Sequence, residues 1–386
     1  MRPKRNARAP GYLTASSRRA SACVVRPTGC CGGKHGRYRA FSLFAIVIVS
    51  GVPRELEETD RRIVTALISD PRASWRELAQ RLELSERTVV RRAIPLYENG
   101  VLHASAVRNP CCFPEMLVLT LRLKCVRERI SAIGDALARR PDTISVVVLD
   151  GGNEISALVQ LDGPQERDAL LLRDLPATAA VTSWTAQRVQ RIFPTSDPEH
   201  PPAATELNLG QSTPGPARPP NLLEVDEALI QALIRNGRAS YTELAAAAGV
   251  TAHTARRRLD TLLREYVIRP MTVVDLALIG LKCQALLWLT VQPGALEAVG
   301  RRLGVHPMVF AASAVSGPTN LVVAVAAPGH DEMYEFVTRT VGAIPEVMTV
   351  ETSEILASVK RSGLRCPTPW PQSRGSNGQA VTASTH

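Results

Sequence analysis

The feature that most constrains this fold is a repeat within the chain. The stretch "PRASWRELAQRL" at Pro71–Leu82 returns as "GRASYTELAAAA" at Gly237–Ala248, and adding 166 to Arg72 gives Arg238. The same offset of 166 aligns the two halves without a gap across most of their length. A unit of this size, present twice, predicts a duplicated pair of domains and not a solenoid array.

Net charge alone does not identify a partner. The formal charge of +10 comes from 46 Lys and Arg against 36 Asp and Glu, but residues 1–52 hold ten of the bases and no acid. Removing that segment leaves 46 − 10 = 36 bases against 36 acids, so the remainder is neutral. An argument for nucleic-acid binding must therefore rest on local motifs.

The eight cysteines lack the spacing of a ligand set. Two pairs are adjacent, at 30–31 and 111–112, and neither a C-x-x-C unit nor a distant Cys/His quartet occurs. This pattern predicts reduced, buried thiols with no disulfide framework, no metal site and no cofactor. Reduced thiols favour a cytoplasmic location.

A basic N-terminal stretch followed by the apolar run Ala40–Val52 is similar in outline to a secretory signal. The basic part is too long for a signal peptide, and the run is shorter than the roughly 20 residues of a membrane span. We therefore expect residues 1–53 to be a disordered tail or to reflect a start assigned too far upstream. No membrane association is expected.

The first third of each copy predicts three helices. The first carries an i, i+3, i+4 apolar stripe. Ser74 with Glu77, and Ser240 with Glu243, match the capping box that begins a second, short helix. A third, basic helix opens with a Ser or Thr cap. This order is typical of a helix-turn-helix, whose last helix enters the major groove of double-stranded DNA.

The candidate DNA-binding residues are polar or basic positions near the start of the third helix. They are Ser85, Arg87, Thr88, Arg91 and Arg92 in the first copy, and Thr251, His253, Thr254, Arg256, Arg257 and Arg258 in the second. Early residues of a recognition helix contact base edges, and later arginines reach phosphates. Because the two sets differ, we predict unequal half-sites in place of a perfect palindrome.

Two substitutions predict local differences between the copies. Pro95 lies inside the first recognition helix, so we expect its second half to be bent or shortened. After each third helix an apolar pair predicts a short wing strand. Tyr266 stands where the first copy has Gly100, so we expect the second wing to be set differently.

The rest of each copy predicts strands and helices in the order βαββαβ. Leu117–Lys124 alternates leucines as a half-buried strand does, and comparable runs follow in both copies. This order gives a ferredoxin-like sheet with helices on one face. Because such open sheets pair edge to edge, we expect self-association through the α/β domains.

The predicted fold class is therefore α+β, with two copies of a winged helix-turn-helix followed by a ferredoxin-like βαββαβ domain. Proline-rich, apolar-poor stretches predict an extended linker and a disordered tail. The expected boundaries are 1–53 tail, 54–110 helix-turn-helix, 111–193 α/β domain, 194–220 linker, 221–275 helix-turn-helix, 276–361 α/β domain and 362–386 tail.

These motifs together resemble the Lrp/AsnC family of bacterial transcriptional regulators, over Leu56–Val189 and Leu222–Ile355. The most telling parts are an L-x-x-x-D opening, the R-x-S-x-x-E-L-A second helix, and the capped third helix with Arg91 or Arg257. The resemblance implies DNA binding through the helix-turn-helix. It also implies that a small effector, often an amino acid, binds the sheet domain.

The turns between the second and third sheet strands are where the resemblance places the effector. The family tends to have G-x-Y-D there, and its aspartate helps to shape the pocket. This chain has "GGNE" with Gly151 and Glu154 in one copy, and "GPTN" with Gly317 and Asn320 in the other. Glu154 keeps the charge on a longer arm and Asn320 loses it, which puts the effector's identity in doubt. Both turns are equally compatible with simple hairpins.

Two other interpretations remain open. The same two-part architecture resembles sirohaem decarboxylases of tetrapyrrole synthesis, in which a positioned histidine is a plausible proton donor. The sheet domains offer only His306 and His330, without counterparts in the first copy, and we expect no enzyme activity. A protein-interaction module that has lost DNA binding is the third interpretation.

Overall fold

The computed structural model describes residues 56–193, 195, 222–366 and 370. The tail expected over 1–53 lies outside these residues, as do almost all of the linker at 194–220 and most of the tail after 366. Within the described ranges, no helix is both long enough and apolar enough to cross a bilayer.

The first copy contains five helices and five strands in the described residues. They are α1 Glu58–Ser69, α2 Trp75–Leu82, α3 Glu86–Glu98, β1 Leu102–Arg108, β2 Met116–Cys125, α4 Ile130–Arg139, β3 Thr143–Leu149, β4 Glu154–Asp162, α5 Pro164–Asp168 with a π-helical continuation Ala169–Asp174, and β5 Val181–Ile192.

The second copy repeats this order and adds a final short strand. Its elements are α6 Glu224–Arg235, α7 Tyr241–Ala248, α8 Ala252–Arg264, β6 Ile268–Val274, β7 Cys283–Val291, α9 Leu296–Gly304, β8 Val309–Val315, β9 Leu321–Ala327, α10 His330–Glu335 with a π-helical continuation Phe336–Val341, β10 Val347–Arg361 and β11 Leu364–Arg365. The predicted duplication and fold class are confirmed.

The strand after each helix-turn-helix joins the two copies. β1 pairs antiparallel with β6, and Ser105 lies opposite Met271, its own counterpart at 105 + 166. The strands expected to form wings therefore meet around a pseudo-two-fold axis. Each also packs into the other copy's core, since Ala106 lies in the second helical core and Val274 in the first.

The two α/β domains also join through their sheets. Each has the ferredoxin-like order, β3-β4-β2-β5 and β8-β9-β7-β10. The far half of β5 continues onto β8 of the other copy, and the far half of β10 continues onto β3. Each of these eight strands thus has two neighbours in a closed ring. The edges expected to mediate self-association are instead paired within the chain.

An aromatic residue after each long strand packs on the other copy's helix. Phe193, just past β5, lies over Gly300 in α9, and Trp370, past β11, lies over Gly134 in α4. Any side chain at these two glycines would overlap the ring. The segment predicted as a tail from 362 onward therefore begins with ordered structure, because β11 and Trp370 still pack on the domains.

Neither local difference expected between the helix-turn-helix units occurs. α3 runs through Pro95 and has 13 residues, as α8 has. Pro95 lies on the exposed side of the helix, where the carbonyl that loses its donor can be hydrated. Tyr266 adopts the left-handed backbone (φ 52°) that Gly100 adopts (φ 69°), so β6 begins as β1 does.

Candidate nucleic-acid interface and effector turns

The hydroxyl groups of the candidate set begin the recognition helices α3 and α8. The Ser85 Oγ accepts from the Thr88 backbone N–H at 3.0 Å, and the Thr251 Oγ1 accepts from that of Thr254 at 3.2 Å. Each cap hydroxyl also bonds the hydroxyl of the same threonine. Ser85, Thr88, Thr251 and Thr254 thus orient the first turn that would face the DNA.

Two of the candidate arginines hold the recognition helix to the first helix of its unit. Arg92 bonds Glu57 at 2.6 Å and Asp60 at 3.5 Å. Its counterpart Arg258 forms a two-pronged pair with the fully buried Asp226. Hydrogen bonding to the Asp226 carboxylate, which accepts from the guanidinium, raises the pKa of Arg258. The aspartate of the L-x-x-x-D opening is therefore the anchor of the recognition helix.

The remaining candidates project from the recognition helices into solvent. Arg87 and Arg91 are exposed on α3, and His253, Arg256 and Arg257 are exposed on α8.

Corresponding positions on the two recognition helices differ in charge. The first copy has Glu86, Arg87 and Val90 where the second has Ala252, His253 and Arg256. The second helix thus lacks one acid, and its additional arginine, Arg256, is offset by a histidine in place of Arg87. Both helices keep an arginine at the next position, Arg91 and Arg257.

The repeated Arg-Ala-Ser-aromatic motif connects the two helix-turn-helix units to each other. Arg72 donates to the carbonyl oxygens of Gly237 (2.5 Å) and Ala239 (3.1 Å) in the second copy. Arg238 donates to those of Pro71 (2.7 Å) and Ala73 (2.8 Å) in the first. We call these two residues the arginine clamp. Each guanidinium donates to two carbonyls of the other copy at once, because its planar group carries several N–H donors.

The aromatic residue of the motif completes the clamp. The guanidinium of Arg238 lies 4.2 Å from the centre of the Trp75 ring. Its counterpart Arg72 lies beside Tyr241, and burial lowers the pKa of Arg72. The sequence interpretation assigned the motif to helix capping, which Ser74 and Glu77 do perform. It missed the arginine, although an arginine kept in both copies has no part in a capping box.

The turn of the second copy has its polar groups satisfied from within the protein. The amide of Asn320 donates to the Val291 carbonyl (2.7 Å) and accepts from the Val291 N–H (2.8 Å). The buried Gln187 of the first copy donates to the carbonyls of Ser316 and Thr319. It also lies where a side chain at Gly317 would lie.

The turn of the first copy is more open and carries charge. Ser353 stands where the other turn has Gln187, and a side chain at Gly151, the counterpart of Gly317, would meet only the Asn153 side chain of the same turn within 4 Å. Glu154 pairs with Arg122, which also holds Glu351 of the second copy through two bonds of 2.7 and 3.0 Å. Hydrogen bonding to Arg122 lowers the pKa of Glu351.

The same arginine lies on the pseudo-symmetry axis of the sheets. Its guanidinium lies 4.6 Å from the centre of the ring of Trp288, which is fully buried and is the counterpart of Arg122 at 122 + 166. In a dimer of identical subunits, this residue would face the same residue of the partner across the axis. This chain instead brings a cation onto an aromatic face, a favourable contact.

Sequence comparisons agree with this architecture. The sequence model of the AsnC-type helix-turn-helix domain matches residues 56–93 and again 224–263. That of the Lrp/AsnC ligand binding domain matches residues 284–364. The chain belongs to the Lrp/AsnC family. As a tandem Lrp/AsnC protein it is a DNA-binding transcriptional regulator with a small-molecule-binding domain.

Relatives of this Lrp/AsnC chain correspond to a single copy of its repeat. An uncharacterised HTH-type transcriptional regulator of Pyrococcus abyssi is 29% identical over 148 residues, 38% of this chain and 93% of that protein. HTH-type transcriptional regulator FL11 of Pyrococcus horikoshii is 24% identical over 140 residues, 36% and 92% respectively. Both organisms are archaea, so the bacterial origin implied by the family resemblance stays a prediction.

Solved structures also include a match to both copies together. It is the crystal structure of the siroheme decarboxylase NirDL, with a TM-score of 0.54 and 13% sequence identity, covering 79% of this chain and 94% of that one. At this identity the likeness shows that the paired fold is shared.

Proposed function

We propose that this regulator works as a dimer within one chain and binds a single DNA site whose two halves differ in sequence. The observation that carries the proposal is the pair of unlike recognition helices held by one pseudo-two-fold axis. The β1–β6 ladder and the arginine clamp fix the two helices relative to each other. Because the two helices are held symmetrically but carry different side chains, we expect an operator with two half-sites of different sequence.

The contacts would divide between specificity and affinity. Bases and phosphates would be contacted by the exposed side chains of Arg87, Arg91, His253, Arg256 and Arg257. Arg92 and Arg258 would act indirectly, by orienting their helices through Asp60 and Asp226. Binding should weaken steeply with salt, because basic side chains release counterions from the phosphates.

Alanine substitutions test this function on DNA from the chain's own upstream region. In gel-shift and footprint experiments, Arg91→Ala and Arg257→Ala should each lower affinity about tenfold and each weaken protection of a different half-site. The matched control is Arg339→Ala, which removes an exposed arginine of the α/β domain paired with Glu335. If neither recognition-helix variant alters binding, the protein-interaction module becomes the better interpretation.

We also propose that an amino-acid effector binds at the turn of the first copy and not at that of the second. Glu154 and Glu351 flank Arg122 there, so their carboxylates suit an ammonium group, while Arg122 suits a carboxylate. The second turn is closed by Gln187 and Asn320.

Thermal-shift measurements with a panel of amino acids test the location of the effector. An effector that binds the folded chain raises Tm, and the stabilisation grows with the logarithm of the effector concentration once that exceeds Kd. Glu154→Gln should abolish the shift, whereas Asn320→Ala should retain it. A shift lost only with Asn320→Ala would place the effector at the second turn.

An enzymatic function of the siroheme decarboxylase kind gains less support. Between the two sheets lies a cavity of about 100 Å³, lined by Thr120, Ser156, Gln284 and Phe310 among others. Pockets for drug-sized ligands hold about 300–1,000 Å³, and two more open pockets of that size, about 870 and 570 Å³, lie elsewhere, the second lined by His103 and Arg361 among others. His306 lines none of these three; its ring is tilted against that of Phe336 with ring centres 4.6 Å apart, and His330 contacts Cys283. A tetrapyrrole absorbance in the purified protein would restore this alternative.

A further inference from the structure

Three potential metal ligands from separate elements meet in the second α/β domain. Cys283 begins β7, His330 begins α10, and Glu354 lies on β10. One ligand atom of each lies within 4.8 Å of those of the other two. The thiol is buried, the carboxylate is half-buried and the imidazole is exposed.

The strand register brings these residues together. Cys283 pairs with Ala327 at the end of β9, and the chain needs only Pro328 and Gly329 to reach His330 above it. Glu354 pairs with Ala285, which lies two residues along β7 and so on the same face as Cys283. The site is thus built on rigid strands of the core and opens to solvent through the histidine.

The separation of the sulfur and nitrogen ligand atoms matches a tetrahedral metal site. The Cys283 Sγ lies 3.5 Å from the His330 Nδ1. With a metal–sulfur bond of about 2.3 Å and a metal–nitrogen bond of about 2.0 Å, a tetrahedral angle separates the two ligand atoms by about 3.5 Å. A rotation of the half-exposed Glu354 side chain closes the remaining separation.

From this geometry we propose that Cys283, His330 and Glu354 bind a divalent first-row transition ion, with zinc as the best match. Thiolate and imidazole select such an ion over Mg²⁺ or Ca²⁺, and three protein ligands leave a fourth position for water or a small ligand. On binding, the thiol proton leaves to solvent and the sulfur forms the bond to the metal. Thiolate, carboxylate and dication together are neutral, which suits a partly buried site.

The first copy cannot form this site. Its corresponding residues are Leu117, Pro164 and Arg188, and none of these side chains is a metal ligand. The site therefore arose in one copy alone. For the same reason the repeat alignment gave no sign of it, and the three positions are too far apart in sequence for a spacing motif.

Proton competition gives the site a pH dependence. Burial, with a contribution from Glu354, raises the pKa of the Cys283 thiol. Metal binding must therefore displace a proton, and affinity should fall as pH is lowered. Without metal, the same two atoms form an S–H···N hydrogen bond, which is the competing interpretation of the 3.5 Å distance.

Cobalt(II) titration of the reduced full-length protein separates these interpretations. The wild type should bind one Co²⁺ per chain in this domain with thiolate-to-cobalt charge-transfer and tetrahedral d–d bands, and Zn²⁺ should displace it. His330→Ala and Glu354→Gln should lower affinity at least about tenfold, and Cys283→Ala should abolish the charge-transfer band. Because His330 is exposed, its variant should keep the thermal stability of the metal-free wild type.

Matched controls come from residues of the same type outside the cluster. His103→Ala removes a half-buried histidine of β1, and Cys125→Ala removes another buried cysteine, so both should bind cobalt as the wild type does. Equal cobalt spectra and affinities in wild type, Cys283→Ala and His330→Ala would overturn the proposal and leave a simple hydrogen bond. The outcome is independent of DNA binding.

Discussion

At the scale of single residues, the arginine clamp explains why the Arg-Ala-Ser-aromatic motif occurs twice. Serine and glutamate start a helix within one copy, whereas the arginine reaches across to two carbonyls of the other. The two roles are interleaved within the six residues Arg72–Glu77. Duplication therefore retained both a local signal and a contact between copies.

Arg72→Ala should destabilise the association of the two helix-turn-helix units. It removes two charge-assisted bonds at a partly buried position, and we expect a loss of about 2–3 kcal/mol in the free energy of unfolding. Arg72→Lys should recover little, because an ammonium cannot span both carbonyls. Urea denaturation measures this, with the exposed neighbour Arg76→Ala as control; equal effects of Arg72→Ala and Arg76→Ala would contradict the role of the clamp.

Alanine substitutions at two glycines distinguish the cost of a steric overlap from the cost of a left-handed backbone conformation. An alanine Cβ at Gly237 would overlap the Ser105 backbone on the pseudo-two-fold axis, whereas at Gly249 (φ 65°) it would meet no atom within 4 Å. Gly249→Ala should cost only about 1 kcal/mol of left-handed strain. Gly237→Ala should cost more than 2 kcal/mol, since backbone must move. Thermal unfolding compares them, and the reverse order would contradict the close approach of β1.

At the scale of elements, each recognition helix depends on a tether to the first helix of its unit. The tether joins Arg258 to Asp226 in the second copy and Arg92 to Asp60 in the first. The two differ in burial, since Asp226 is fully buried and Asp60 keeps partial exposure. The copies should therefore respond differently to the same substitution.

Arg258→Ala should destabilise the chain by about 3 kcal/mol, because it leaves the Asp226 carboxylate buried without its partner. Arg92→Ala should have a smaller effect, since water can reach Glu57 and partly Asp60. Chemical denaturation monitored by circular dichroism measures both. The double variant Arg258→Ala/Asp226→Leu should recover much of the loss, and a failure to recover would indicate that another contact of Arg258 dominates.

The sequence patterns predicted the helices and strands within each copy, but they did not predict the contacts between the two copies. Helix periodicity, caps and strand alternation depend on neighbours in sequence, so α1 to α3 and the strands of both sheets were predictable. The family resemblance in the sequence ends at Val189 and Ile355, but β5 and β10 continue to Ile192 and Arg361. The additional residues pair with the other copy, which no local pattern reveals.

The same limit applies to the candidate sites. Exposed arginines on the recognition helices follow from their spacing, but the tethering of Arg92 and Arg258 depends on an aspartate 32 residues earlier. The cluster at Cys283 needs three strands in register. Contacts between residues far apart in sequence were therefore not predicted, whereas features that depend on a single helix were.

At the scale of the whole molecule, fusion has allowed the two copies to become complementary. Arg122 on Trp288, Gln187 against the second turn and Ser353 near the first turn are unlike residues at equivalent positions. An identical dimer cannot make such contacts, because its axis brings each residue onto its own copy. The paired sheets therefore behave as an obligate heterodimer joined by a linker.

Trp288→Arg tests this complementarity. It would bury a second guanidinium against Arg122 without a partner, and we expect a loss of more than 3 kcal/mol in the free energy of unfolding. The exchange Arg122→Trp/Trp288→Arg should recover part of that loss through a favourable coupling. A double-mutant cycle by urea denaturation gives the coupling energy, and strictly additive losses would contradict a direct contact.

One chain presents two different recognition helices about one pseudo-two-fold axis, and we propose that each recognises its own half-site. Selection of binding sites from random double-stranded DNA by the purified full-length protein tests it most directly. We expect two half-sites of different sequence at fixed spacing, with Arg91→Ala relaxing the sequence of one half and Arg257→Ala that of the other. A perfectly palindromic site, or relaxation of both halves by either variant, would contradict the account.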